Sequence, residues 1–163
     1  MFVYWSNTER THRDMEQVEG FCNGCQSNQI HTFRLYEQKT KHYSVLAIGA
    51  NHTISAICHG CLLESAIPKN EEKLLIRKYK KEIICWEGFD LLQNQKIDNA
   101  TKKFRKVLKK DPDHPQALYG LAKSLVSQGK FDEARVYVDN LSVRFSEDDS
   151  VKELKAILAR NTQ

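Results

Sequence analysis

The chain has 163 residues, of which 40% are hydrophobic and 28% are charged, a composition typical of a soluble globular protein and not of a disordered or membrane protein. Its formal net charge of +4 is modest, and the basic excess lies in two short stretches, 71–81 and 101–110. The first residues lack the features of a secretory signal, and the longest apolar run, 44–50, is too short to cross a bilayer. We therefore expect a soluble cytoplasmic protein that does not associate with membranes.

The first 70 residues or so predict short β-strands joined by turns. The segment FVYW (2–5) consists of β-prone residues, and IHTFRLY (30–36) alternates between two faces. HYSVLAI (42–48) and HTISAIC (52–58) are rich in β-branched and aromatic residues. Because glycine and asparagine separate these segments, this half of the chain predicts a small β-rich domain.

Two related motifs, FCNGC (21–25) and ICHGC (57–61), each contain a pair of cysteines. Four thiolates suit tetrahedral Zn²⁺, and iron in the same cage is the chemical alternative. In each motif the glycine before the second cysteine permits the backbone geometry of a tight turn that presents two sulfur atoms to one ion. The spacing predicts a single structural Zn²⁺ ion with four ligands: Cys22, Cys25, Cys58 and Cys61.

Other roles for the cysteines require features that the sequence does not show. A redox pair requires a low-pKa cysteine at a helix N-terminus, but no helix-like stretch follows either motif. A catalytic zinc ion keeps one coordination position open for water, whereas four cysteines close the site. We expect His59, between two ligands, to point outward or to hydrogen-bond locally. We interpret His31, His42 and His52 as dispersed surface histidines and not as a cluster.

The order of these elements resembles that of a small bacterial zinc-ribbon family, whose members have a β-strand, a first CxxC motif, another strand, a hydrophobic stretch and a closing CxxC motif. The chain departs from this pattern at YWSNTERTH (4–12), where the family has a turn that contains glycine. The resemblance implies a zinc-ribbon domain over residues 1–68 and no defined activity.

The second half of the chain predicts helices. Pro68 ends a strand, and the following residues begin a helical pattern in which apolar residues recur every three or four positions up to Arg160. The first series, from Leu74 to Leu92, predicts one continuous helix. We assign residues 69–163 to a helical domain.

An internal repeat lies within this helical half: residues 81–114 and 115–148 align without gaps at a period of 34 residues. The turn GKFDEA (129–134) and the junction KKDPDHP (109–115) resemble those of the tetratricopeptide repeat. The resemblance implies two helical hairpins, followed by a capping helix over about 149–160. The predicted fold class is α+β, with a small β-rich zinc ribbon followed by an all-α helical array.

Tetratricopeptide arrays bind peptides or protein surfaces along the first helix of each hairpin, so the resemblance implies a non-enzymatic interaction or adaptor protein. Two repeats are fewer than such arrays usually need, so a second copy of the chain, in a homo-oligomer, is one candidate to cover the surface. The expected binding face on these first helices lacks the cluster of lysine and asparagine with which some tetratricopeptide proteins hold the terminal carboxylate of a peptide. The residues expected in the groove are Glu82, Cys85, Phe89, Leu92, Gln93, Gln116, Tyr119, Lys123, Val126 and Ser127.

The alternative function is nucleic-acid binding by the zinc ribbon together with a basic patch. The ribbon half is charge-balanced, however, and a charge run on an outer helix is most often a solvated face, so we rank this function second. No Gly-rich phosphate loop, nucleophile elbow or convincing acid–base pair occurs in the sequence, and we predict that the protein is not an enzyme. The residues of the basic patch are Lys102, Lys103, Arg105, Lys106, Lys109 and Lys110.

Overall fold

The computed structural model describes residues 6–42 and 51–161, and the side chains of 11–38 and 51–161. The predicted strand at 2–5 and nearly all of the one at 42–48 lie outside the described residues. Contacts between residues divide the chain into two compact units, 1–78 and 79–163. The first unit includes a helix that our prediction placed in the second domain; the predicted boundary after residue 68 stays a prediction.

The first unit is built on an antiparallel sheet of four strands in the order β1-β2-β3-β4. The strands are β1 (Ser6–Cys22), β2 (Ser27–His42), β3 (Asn51–Cys58) and β4 (Glu64–Ala66). The strand predictions at 30–36 and 52–58 lie within β2 and β3. Most of β1 was not predicted, because its described side chains are largely polar and exposed and therefore give little apolar alternation.

The register of the strands determines which side chains form the small core of this unit. Leu35 lies opposite Ile54, and His31 lies opposite Cys58, so these side chains share one face of the sheet. The same register brings the end of β3 beside the turn between β1 and β2, where Cys22 pairs with Ser27. The two cysteine motifs are thereby placed at one end of the sheet.

A short helix, α1 (Lys69–Lys78), packs against β3 and has no buried side chain. A carboxylate oxygen of Glu72 accepts a hydrogen bond from the backbone N–H of Ile54 at 3.0 Å. The prediction of one helix through Leu92 was wrong, because the backbone of Tyr79 leaves the helical conformation (φ −93°, ψ 17°) and separates α1 from the next helix. Neither glycine nor proline occurs at this break, so apolar periodicity alone does not reveal it.

The second unit is entirely helical. It contains α2 (Lys80–Gln93), α3 (Ile97–Leu108), α4 (Pro115–Ser127), α5 (Phe131–Arg144) and α6 (Asp149–Arg160). Helix α2 packs against α3, α4 packs against α5, and α6 packs against α5 and α4. A shift of 34 residues carries the first pair of helices onto the second, as the internal repeat predicts.

The core of this unit surrounds Phe104, whose side chain is fully buried. A Cβ atom added to Gly88 would lie 2.7 Å from two ring atoms of Phe104, and one added to Gly120 would come closer still. Glycine is therefore required on both α2 and α4 because the ring of Phe104 occupies the space where a side chain would begin.

The fold class is confirmed: over the described residues a four-stranded antiparallel sheet precedes six helices, and the helices of the second unit form a tetratricopeptide-like array. Within the described residues, none of the helices combines the length and the apolar character needed to span a bilayer.

Candidate metal centre and helical groove

The four predicted ligand cysteines come together at one end of the sheet, with all four sulfur atoms within 4.8 Å of one another. Cys22 Sγ lies 3.6 Å from Cys61 Sγ, and Cys25 Sγ lies 3.6 Å from Cys58 Sγ. Four ligands at the usual Zn–S distance define a tetrahedron with edges of about 3.8 Å. The spacing thus fits a tetrathiolate metal site, whereas a disulfide requires sulfur atoms at bonding distance.

The two cysteine motifs have the same backbone turn. The N–H of Gln26 donates to the carbonyl of Cys22 at 2.8 Å, and the N–H of Leu62 donates to the carbonyl of Cys58 at 2.9 Å. Gln26 and Leu62 both have positive φ, 56° and 60°. The left-handed position of each turn is therefore the residue after the second cysteine, not the glycine before it.

The glycines of the motifs are needed for space and not for an unusual backbone conformation, which corrects our interpretation of them. A Cβ atom on Gly24 would lie 3.0 Å from the sulfur of Cys61, and one on Gly60 would lie 3.1 Å from the sulfur of Cys25. Each glycine thus faces the second cysteine of the opposite motif. A Cβ at either position would crowd that sulfur atom, and at Gly60 also the side chain of Gln29, so these neighbours would have to shift.

Backbone N–H groups help to stabilise thiolate at this site. Hydrogen bonds from the backbone of Cys25 and, less strongly, of Gly24 lower the pKa of Cys22 to about 6, against the opposing effect of burial. The N–H of Gly60 donates to the sulfur of Cys58 at 3.3 Å. The close approach of the other sulfur atoms, Cys61 first, raises the pKa of Cys25. A bound cation would relieve this crowding of charge.

The histidines near the site are not among the clustered ligands. His59 is exposed, and its Nε2 forms a hydrogen bond of 2.6 Å with the hydroxyl of Thr32 on β2, 27 residues earlier in the chain. His31 is buried, with its Nδ1 3.1 Å from the carbonyl oxygen of Gln29. The interpretation of His31 as a surface residue was therefore wrong, because the register directs its side chain to the face that carries Cys58.

The predicted groove residues lie on α2 and α4, and most of them line two cavities that share the side chain of Phe89. The first, of about 280 Å³, we name the Lys123 cavity; it is lined by Phe89, Leu92, Gln93, Gln95, Ile97, Lys123 and Ser127. The second, of about 220 Å³, we name the Phe145 cavity; it is lined by Phe89, Pro115, Gln116, Tyr119, Leu141, Phe145, Asp148, Ser150 and Val151.

Aromatic contacts hold the wall between the two cavities. The ring centroid of Phe89 lies 5.0 Å from that of Phe104 and 6.1 Å from that of Tyr119. The ammonium group of Lys123 lies 5.9 Å from the centroid of the Tyr119 ring, within the range of a cation–π interaction. The buried ring of Phe104 therefore supports the exposed surface of the groove.

Three of the predicted groove residues, Glu82, Cys85 and Val126, do not line either cavity. Cys85 is fully buried, so its assignment to the groove is corrected to the core. Burial, with a smaller effect from the charge of Glu82, raises the pKa of the Cys85 thiol to about 12. Its sulfur lies 3.9 Å from Nδ1 of His114, but a buried neutral thiol is unsuited to act as a nucleophile.

Sequence reasoning missed the residues that the turn after α2, the start of α3, helices α5 and α6 and the segment between those two helices contribute to the cavities. Phe145 offered the clearest signal in the sequence, because it is a large aromatic residue directly after the predicted helix; in the structure its side chain is 38% exposed. Its neighbour in the cavity, Val151, belongs to α6. The sequence does not specify how α6 folds back beside α4, so these residues are not grouped by inspection.

The predicted basic patch lies on α3 and directly after it, and acidic neighbours neutralise part of its charge. Lys103 pairs with Glu87, and Arg105 lies 3.7 Å from a carboxylate oxygen of Glu133. Nothing in this arrangement singles out a nucleic-acid interface. The other four residues of the patch, Lys102, Lys106, Lys109 and Lys110, are exposed.

Comparison with known proteins supports the interpretation of the helices. A family model described as tetratricopeptide repeat matches residues 91–158, from the end of α2 to α6. The match covers less than half of the chain and does not extend to the cysteine motifs. No curated protein matches the chain. The helical unit is thus a tetratricopeptide-like array whose matched segment contributes residues to both cavities.

Proposed function

We propose that this protein is a non-enzymatic interaction protein whose helical unit binds a peptide segment of a protein partner. The observation that carries the proposal is that two cavities, joined at Phe89, are lined by residues of α2 and α4 that the repeat pattern assigns to a binding groove. Tetratricopeptide repeats generally bind protein partners, and the family match includes most of this surface.

The chemistry of the groove suits a peptide better than a small polar metabolite. Phe89 and Tyr119 supply aromatic surface of the kind that carries much of the binding energy in protein interfaces. Amide and hydroxyl groups around the Lys123 cavity, on Gln93, Gln95 and Ser127, can exchange hydrogen bonds with an extended backbone.

The cysteine site has a structural role in this proposal. Cys22, Cys25, Cys58 and Cys61 would hold one Zn²⁺ ion, which links the end of β1 and the turn after it to the end of β3 and the turn after that strand. Among the described residues of this unit few large apolar side chains are buried, so a metal cross-link supplies stability that the core does not. With four sulfur ligands the site has no open position for substrate.

Binding is tested with a random peptide display library selected on the full-length, zinc-loaded chain, followed by fluorescence anisotropy with the enriched peptides. Replacing Tyr119 by alanine should weaken binding about tenfold or more, since it removes an aromatic wall of the Phe145 cavity. The matched control is Tyr137→Ala on α5, a tyrosine that is also half-buried but lines neither cavity.

The outcome that contradicts the proposal is equal binding of the enriched peptides to the wild-type chain and to Tyr119→Ala. Light scattering, measured alongside, distinguishes a second copy of the chain as the occupant: a concentration-dependent dimer that Tyr119→Ala dissociates would replace the peptide in this proposal.

A further inference from the structure

The two cavities of the groove carry opposite charge. The Lys123 cavity has one charged lining residue, the cation Lys123, and the Phe145 cavity also has one, the anion Asp148. Because the cavities share Phe89, a ligand that occupies both passes from a positive to a negative surface across an aromatic wall. The charges can therefore select the composition and the direction of a bound segment.

Lys123 is free to pair with an anionic ligand. Its ammonium group contacts the face of Tyr119, and no carboxylate within residues 11–38 and 51–161 forms an ion pair with it. Lys81 and Lys103 differ, since each is already paired with an acidic side chain. The side-chain amides of Gln93 and Gln95 line the same cavity and add donors for a carboxylate.

The Phe145 cavity combines apolar walls with an acidic rim. Leu141, Phe145 and Val151 line this cavity together with the aromatic rings of the wall, and the cavity can hold a large apolar side chain. Asp148 lies between two further acids, Glu147 and Asp149, and Lys152 is the cation that pairs with these two neighbours. The rim thus keeps an excess of negative charge, although Asp148 also accepts backbone hydrogen bonds at the start of α6.

We infer that the partner of this groove is an amphoteric peptide segment in which a large apolar side chain is flanked by an acidic residue on one side and a basic residue on the other. The inference rests on the proposed function. The apolar side chain occupies the Phe145 cavity, the acidic residue pairs with Lys123, and the basic residue faces Asp148. A polyanion such as a nucleic acid fits only the Lys123 end and is disfavoured by the acidic rim.

The test uses the same peptide display selection and measures how often acidic and basic residues occur at each position of the enriched peptides. Peptides that depend on Tyr119 should be enriched in Asp or Glu on one side of an apolar residue and in Lys or Arg on the other. Lys123→Glu should weaken the binding of an enriched synthetic peptide about three- to fivefold, the size expected for an exposed ion pair. Exchange of the acidic residue of the peptide for lysine should restore binding to this variant. Lys106→Glu, an equal change of charge on α3, is the matched control and should have no effect.

The acidic end is tested with Asp148→Asn, because asparagine keeps the helix cap and removes the charge. Peptides selected on this variant should lose the preference for the basic residue and keep the preferences for the apolar and the acidic residue. Peptides that require Tyr119 but show no charge preference would overturn this inference and leave the proposed function standing. The absence of any Tyr119-dependent peptide would overturn both.

Discussion

Gly88→Ala is expected to destabilise the helical unit through a clash with Phe104. The new Cβ would lie 2.7 Å from the Cε1 and Cζ atoms of the ring, whereas carbon atoms in ordinary contact are about 3.5–4.0 Å apart, so the ring must retreat by about 1 Å. It has no room to do so, because Gly120 approaches the same ring atoms. Overpacking of this kind costs about 1–3 kcal/mol.

The higher helix propensity of alanine opposes the clash and reduces the net change in the free energy of unfolding. Alanine is favoured over glycine inside a helix by about 1 kcal/mol, which offsets part of the clash. The expected net loss is therefore up to about 2 kcal/mol, or a fall in melting temperature of up to roughly 15 °C for a unit of this size. Gly120→Ala should cost more, because its Cβ would come closer to the ring.

The measurement is urea unfolding of the zinc-loaded chain, followed by circular dichroism at 222 nm. Adding Phe104→Leu should make Gly88→Ala less costly than it is alone, since a smaller side chain removes the clash. Gly129→Ala is the matched control: its φ is +72° and no atom lies within 4 Å, so its cost comes from backbone conformation alone. Phe104→Leu should not relieve that cost. A Gly88→Ala chain more stable than the wild type, or a cost that Phe104→Leu does not reduce, would refute the reasoning.

Three further predictions concern the metal site and the buried thiol. The chain should bind one Zn²⁺ ion, and a chelator should abolish the β-sheet signal while the helices persist. Cys58→Ser should prevent zinc binding, as measured by metal analysis of the purified protein. Retention of a full equivalent of zinc by this variant would contradict the assignment. Leu62→Gly should raise the free energy of unfolding of the first unit by up to about 1 kcal/mol, because an exposed leucine at φ 60° is strained. An unchanged or lower free energy of unfolding, measured by urea titration, would count against the turn geometry. Burial raises the pKa of Cys85 to about 12, so the folded state keeps a proton that the unfolded state loses at lower pH, and the free energy of unfolding should fall as pH rises above about 9. Between pH 9 and 11 this fall should be smaller in Cys85→Ala than in the wild type. An equal slope in both proteins would refute this prediction.

Much of the metal site could be predicted because its information is local. Two CxxC motifs specify four ligands whatever the path of the chain between them, and the sulfur atoms of Cys22, Cys25, Cys58 and Cys61 do converge. The reason for the glycines was not predictable, because Gly24 faces a sulfur atom 37 residues further along the chain. Such a steric requirement exists only once the two turns are brought together.

The helical half shows the same division. The apolar spacing and the turn residues predicted paired helices, since both are patterns between near neighbours in sequence, and the 34-residue period repeats that local pattern. The break at Tyr79 was not visible, because no glycine or proline marks it. The burial of Cys85 was not predicted for a related reason: a small residue on a helix suits either the core or a groove, and the packing of the neighbouring helices decides between them.

The sequence alone therefore determined the four cysteines that converge, the repeat and most of the residues of α2 and α4 that line the two cavities. Only the tertiary structure decided that Phe104 is held between Gly88 and Gly120, and that Phe145 and Asp148 complete a cavity begun by Phe89. The physical reason is that periodicity assigns a residue to a face of its own element. Which other element covers that face, and with what charge, depends on packing between segments that are distant in the chain.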